Sequence, residues 1–175
     1  SCSNFPQGFF NAYRHMAESD LDLVLHLGDY IYEYPEAEYA NDYAREVLKR
    51  SVVPQHEVVA LEDYRMRYGL YRTDPDLQAL HQRHPFVCVW DDHELANNTW
   101  REGAENHNEG EGDFHQRIAA ARQAYHEWMP IRTANEDVQG PIYRRFEIGT
   151  LADLIMLDTR LTGRDRGLEY ATDRV

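Results

Sequence analysis

Two short stretches of this sequence gather groups able to do chemistry. In "GDYIYEY", Gly28 to Tyr34, the carboxylate of Asp29 is followed three residues on by the phenol of Tyr32. If the chain turns tightly after Gly28, the two oxygens converge, and a carboxylate with a phenolate suits a hard, highly charged cation. A Gly-Asp pair is also common at plain turns, where the aspartate caps the backbone. The spacing to Tyr32 favours the ligand role. Tyr30 and Tyr34, in a chain with twelve tyrosines, read as packing.

The second stretch is "WDDHELANN", Trp90 to Asn98. The adjacent carboxylates of Asp91 and Asp92 repel one another unless a cation lies between or beside them. One of them is expected to bind metal, and the other to orient a neighbour or hold a second cation. His93, whose ordinary pKa lies near neutrality, is the natural proton donor to a leaving group. Its alternative role is to hold the aspartates in place. In "LDTR", Asp158 and Arg160 form either a salt-bridged turn or a phosphate clamp, since the planar guanidinium matches phosphate oxygens.

The remaining candidates read as structural. Cys2 and Cys88 are by default small buried hydrophobes, Cys88 in mid-strand, and two cysteines make no disulfide framework. His26 sits inside an apolar run and reads as a hydrogen-bonded core histidine. His15, His56, His81, His84, His107, His115 and His126 lie in polar stretches and receive no role.

Elements that end at these motifs must position them. "LDLVLHL", Leu21 to Leu27, has the composition of a strand buried on both faces, and "PFVCVW", Pro85 to Trp90, is a second. Phe9, Phe10, Tyr13 and Met16 recur at helical spacing and predict a helix ending near Ser19. Residues 36 to 84 look mainly helical, broken at Pro54 and at Thr73-Asp74-Pro75, where Thr73 or Asp74 can cap the next helix. Phe114 to Met129 reads as a helix stopped by Pro130. "PIYRRFEIGT" and "LADLIMLDTR" predict a hairpin around Gly149-Thr150. The loop from Asn97 to Asp113 has three glycines and little to bury, the composition of a mobile segment bordering a site. Strands alternating with helices predict an α/β layered fold with much of the sheet parallel. Ligands then lie beyond the carboxyl ends of the strands, where Asp29, Asp91 and the Asp158-Thr159-Arg160 segment all fall.

The chain has 175 residues, enough for one ordinary domain with a sizeable core. A net charge of -13 argues against a general nucleic-acid or anionic-membrane binder. It leaves phosphate chemistry open, because a bound cation inverts the local field. The longest apolar stretches are strand-sized, so no transmembrane segment is predicted. With no initiator Met and no signal peptide, the chain reads as an internal piece of a larger protein.

"SCSN", "HLGDYIYE", "WDDHELANN" and "LDTR", in this order and at these spacings, resemble the PhoD-type alkaline phosphatases, within the calcineurin-like metallophosphoesterases. The resemblance covers essentially the whole chain. It implies a layered α/β/β/α sandwich, of which residues 1–175 form a part. It also implies hydrolysis of phosphomonoesters, with diesters as a further substrate class. Asp29 would then be a bridging metal ligand, with Cys2 and Tyr32 on Fe(III). Asp92, standing where the wider superfamily has an asparagine ligand, would lie on the side of Ca(II). His93 would donate to the leaving oxygen, and Asn97 and Arg160 would contact phosphate. The implied setting is secreted, periplasmic or at the cell surface, and the implied partner a small phosphate ester. The family's later "GDxH"-like segment has no counterpart before Val175, so roughly the first half of a metal site is expected here. The rival from another class is a non-catalytic calcium-binding or interaction domain, whose acidic turns hold a structural ion. A structural calcium site, however, has no use for Cys2 together with Tyr32.

Overall fold

A computed structural model describes residues 1–133 and 137–167. The chain is a mixed α/β structure whose helices carry most of the core. After a short 3-10 turn (Phe5–Gln7), α1 (Asn11–Glu18) leads into β1 (Val24–His26). Three helices follow, α2 (Asp42–Glu46), α3 (Leu61–Tyr71) and α4 (Pro75–Arg83), then β2 (Phe86–Cys88) and α5 (Phe114–Trp128). The described chain ends with the strands β3 (Arg144–Ile148) and β4 (Ala152–Met156).

Helix boundaries follow capping chemistry. Asp74, rather than Thr73, caps α4, accepting from the amides of Asp76 and Leu77 with Pro75 in the first turn. Asp113 does the same for α5 through Gln116 N. The apolar face of α3 repeats at the i, i+4, i+7 spacing of a helix, with Tyr64, Tyr68 and Tyr71 all fully buried. It packs on α5, where the Tyr64 hydroxyl donates to Leu95 O and accepts from Arg117 Nε. α1 packs on α4.

Three sequence-based expectations about the layers need correcting. β1 pairs with β2 in parallel, Val24 opposite Phe86 and His26 opposite Cys88, but this sheet has only two strands among the described residues. β3 and β4 form a separate antiparallel hairpin, Arg144 opposite Met156, so the third strand does not extend the parallel pair. A two-stranded sheet covers one face only. Val24 and His26 are buried while Leu25 and Leu27 are 44% and 58% exposed, so the first strand is not buried on both faces. The segment from 36 to 60 is largely irregular, with only α2 helical, because side chains rather than a helical ladder satisfy its backbone. Glu36 accepts from Val52 N, and Arg67 holds the carbonyls of Val53 and Pro54.

Arg67 is the main clamp on the segment after β1. Its fully buried guanidinium donates to the carbonyls of Tyr32, Tyr34, Val53 and Pro54, tying the loop that carries Tyr32 to the 53–54 segment. Burial lowers its pKa, with Tyr71 and Glu33 pulling the other way. Arg67→Met removes the donors and leaves buried carbonyls unpaired, at roughly 1–3 kcal/mol for each group left dry. Urea unfolding should show a loss of about 3 kcal/mol or more. A loss under about 1 kcal/mol would mean that the loop holds its shape without the clamp.

Candidate active site

Both strands of the parallel pair stop at a turn, and the two turns are pressed together. Gly28 has φ +105°, and a Cβ added there would lie 2.1 Å from Asp91 N. Only glycine allows both that backbone angle and that approach. Asp29 follows with φ +53°, a left-handed conformation that aspartate tolerates better than most residues.

A buried carboxylate from neither strand ties the turns to each other. Glu94 accepts from Asp29 N (2.9 Å), Tyr30 N (2.6 Å) and Asp91 N (2.9 Å). Burial pushes its carboxyl up to about 8, while the three amide donors favour the charged form. Glu33, also fully buried, does similar work on the other side. It accepts from Asn97 N (2.6 Å) and Asn106 Nδ2 (3.1 Å), and its second oxygen lies 2.8 Å from His93 Nδ1. A carboxylate there favours a proton on Nδ1 and leaves Nε2 as the ring's other polar atom. Sequence reasoning gave neither glutamate a role.

The result is a cluster in which one ligand atom each from Asp29, Asp92 and His93 lie within 4.8 Å of one another. Tyr32 is 5% exposed, and its hydroxyl is 3.4 Å from Asp29 Oδ2. Cys2 is exposed, with φ +62°. Its amide donates to Gly28 O (3.3 Å), which sets it beside the turn that carries Asp29. Cys2, Asp29, Tyr32, Asp92 and His93 therefore share one locus, whereas Asp91 is turned aside.

Arg160 engages both neighbouring aspartates, Nε bonding Asp91 and Nη2 lying 3.1 Å from Asp92 Oδ1. Asp158 holds the turn that presents it, accepting from Arg160 N, Leu161 N and the Thr162 hydroxyl. Asn97 directs its side-chain amide to Glu105 (3.3 Å), not into the cluster. The loop from 97 to 113 borders the site, as its composition suggests, through Asn98 N donating to Asp92 Oδ2 (2.5 Å). It is also tied down, because the buried Arg117 bonds Asn106 O, Glu111 and Glu57.

Electrostatics mark the cluster as short of positive charge. Burial raises the Asp29 pKa, His93 opposes that, and Asp92 and Asp91 add to it. Burial and the Asp29 charge likewise raise Tyr32 and Cys2. Burial by itself would lower His93, but its hydrogen bond to Glu33 and the nearby aspartates leave it raised. Asp29 Oδ1 is buried with no hydrogen-bond partner among the described residues. An orphaned carboxylate oxygen beside a second carboxylate, an imidazole, a thiol and a phenol is what a cation site needs. His26 is a core histidine as expected, with burial lowering its pKa to about 3.

Comparison with known proteins shows the family. The PhoD-like phosphatase family model matches residues 1–174. Alkaline phosphatase D of Bacillus subtilis (strain 168) is 44% identical over 167 residues, which are 91% of this chain and 27% of that protein. A solved structure described as "Structure of PhoD" superposes with a TM-score of 0.78 at 41% identity, over 91% of this chain and 30% of the other. The chain thus spans about a quarter of the length of its curated relative, and within that span it belongs to the PhoD-like phosphatase family.

Proposed function

We propose that this chain supplies the first half of the metal site of a phosphate-ester hydrolase, acting on phosphomonoesters and, as a second class, diesters. The observation that carries it is the orphaned Asp29 Oδ1 in a cluster with Asp92 and His93, whose ligand atoms lie within 4.8 Å of one another. Cys2, Asp29 and Tyr32 would hold Fe(III), and Asp29 with Asp92 would hold Ca(II), a hard cation that takes oxygen ligands. Metal ions there would supply Lewis acidity toward a phosphate oxygen. The chain's own residues do the rest. His93, held by Glu33 through Nδ1, would act as the doubly protonated imidazolium and give its Nε2 proton to the leaving oxygen. The phosphorus–oxygen bond to the leaving group breaks, water provides the replacing oxygen, and water's proton passes to solvent. Arg160 would meet phosphate oxygens by exchanging its present carboxylate partners, and Asn97 would do so only by turning its side chain away from Glu105. The setting would be secreted or at the cell surface, by family resemblance. Among the described residues no helix is long and apolar enough to cross a membrane.

Chelation tests the proposal on the full-length protein. Removing metals should abolish hydrolysis of p-nitrophenyl phosphate, and returning iron with calcium should restore it. Iron bound to a tyrosinate should also give visible absorption, which separates the enzyme from a domain holding a structural calcium ion. Full activity in a protein shown to be metal-free would rule the proposal out.

A further inference from the structure

Four aromatic rings run in an unbroken series from the carboxylate cluster to solvent. The ring of Tyr32 stacks on His93 at 4.3 Å between centroids, and Tyr34 packs on His93 at 5.4 Å. Tyr39 touches both tyrosines, at 5.7 Å from Tyr32 and 5.5 Å from Tyr34. Exposure climbs outward along the series, from Tyr32 in the core to Tyr39 at 57%. Packing accounts for the inner rings but not for the outer one.

Tyr39 is also held in a conformation that a bulky residue rarely adopts, with φ +48°. Its carbonyl accepts from two side-chain amides, Asn4 Nδ2 (2.8 Å) and Gln7 Nε2 (2.9 Å). Strain of this kind persists only where the surroundings impose it, and it gathers at ligand sites. Here it places a ring in water, packed on the two tyrosines that flank His93.

We infer that Tyr34 and Tyr39 form a subsite for a flat aromatic leaving group. The esters this site takes are then phosphates of phenols or other ring-bearing alcohols in preference to small alkyl phosphates. The inference rests on the phosphatase function proposed above. With phosphate at the cluster and the leaving oxygen at His93 Nε2, the next group of the substrate meets the Tyr34–Tyr39 wall. Aromatic rings pair there in offset or edge-to-face geometry.

Phenyl phosphate and glycerol 2-phosphate, given to the full-length protein, provide the test. Phenol is intrinsically the better leaving group, so the quantity that matters is the change in the ratio of the two kcat/KM values on mutation. Tyr39→Gly removes the ring and suits the positive φ. It should lower the phenyl-to-glycerol ratio about tenfold, mainly through the KM for phenyl phosphate. Tyr39→Phe should keep the ratio within about twofold, and so should Tyr43→Ala, at an exposed tyrosine of α2 outside the ring series. A Tyr39→Gly ratio within twofold of wild type overturns the subsite alone. A wild type inert on both esters overturns the phosphatase function and the subsite with it. Competitive inhibition of the wild type needs no variant to fold: phenylphosphonate should bind about tenfold more tightly than methylphosphonate, and equal inhibition also overturns the subsite.

Discussion

Gly28→Ala should lower the melting temperature of the protein by at least about 6 °C, the largest stability loss from a single added methyl. The new Cβ would lie 2.1 Å from Asp91 N and 2.5 Å from Asp91 Cβ, so backbone must move. Overpacking of this kind costs roughly 1–3 kcal/mol, and alanine at φ +105° adds strain of a further ~1–3 kcal/mol. A sum near 3 kcal/mol or more converts at about 2–4 °C per kcal/mol for a chain this size. Gly8→Ala is the control. Gly8 also has a left-handed φ, +140°, but nothing lies within 4 Å of its added Cβ. It should therefore suffer the backbone strain alone and melt clearly above Gly28→Ala. The two variants must also differ in function. Moving the Gly28 turn off Asp91 pulls Asp29 N away from the Glu94 carboxylate that both turns share, so metal uptake should fall with Gly28→Ala and not with Gly8→Ala. Equal melting losses for the two would show that the close approach carries no energy.

That contact explains which parts of the site were legible from residues alone. Asp29, Tyr32, Asp92 and His93 lie in short motifs that end apolar runs, and the ends of parallel neighbours β1 and β2 meet whatever the rest of the chain does. Glu33 and Glu94 were passed over because an acid beside a polar motif looks solvated. The available signal was their surroundings, Glu33 between two tyrosines and two residues after Ile31, and Glu94 before Leu95-Ala96. A carboxylate in such company is buried, and a buried one must find donors. Cys2 entered only by family resemblance, since a cysteine at the chain's start carries no periodicity. The hairpin was legible too: "RRFEI" and "ADLIM" pair with each other around Gly149-Thr150 as predicted. What composition did not show is how far the parallel sheet extends, because the hairpin stands apart and leaves the β1–β2 pair two-stranded among the described residues. Arg160 still reaches Asp91 and Asp92, because the turn held by Asp158, not the sheet, aims it.

Asp29→Asn should abolish hydrolysis in the full-length protein, by a factor of about a thousand or more, yet leave the metal-free fold as stable as before or slightly more so. The opposite signs follow from one geometry. Asp29 is buried, its Oδ1 has no partner, and Asp92 and His93 lie within ligand distance. Without a cation, its charge faces the Asp92 and Asp91 carboxylates and loses hydration, so removing it relieves repulsion by up to ~1 kcal/mol. Asparagine is also among the residues most tolerant of φ +53°, so the backbone at the turn survives. With cations bound, the same substitution removes the charge proposed to bridge them, and metal content should fall for iron and calcium together. Tyr32→Phe should behave differently. It deletes one oxygen, 3.4 Å from Asp29 Oδ2, and keeps the ring stacked on His93. Calcium content should hold, the visible absorption should bleach, and circular dichroism should be unchanged. Melting curves of metal-free protein, metal analysis and the absorption spectrum separate the two variants. A metal-free Asp29→Asn protein that melts several degrees lower would mean that the carboxylate holds the turn itself. Asp29 would then be the capping residue of an ordinary strand end, with Tyr32 packed beside it.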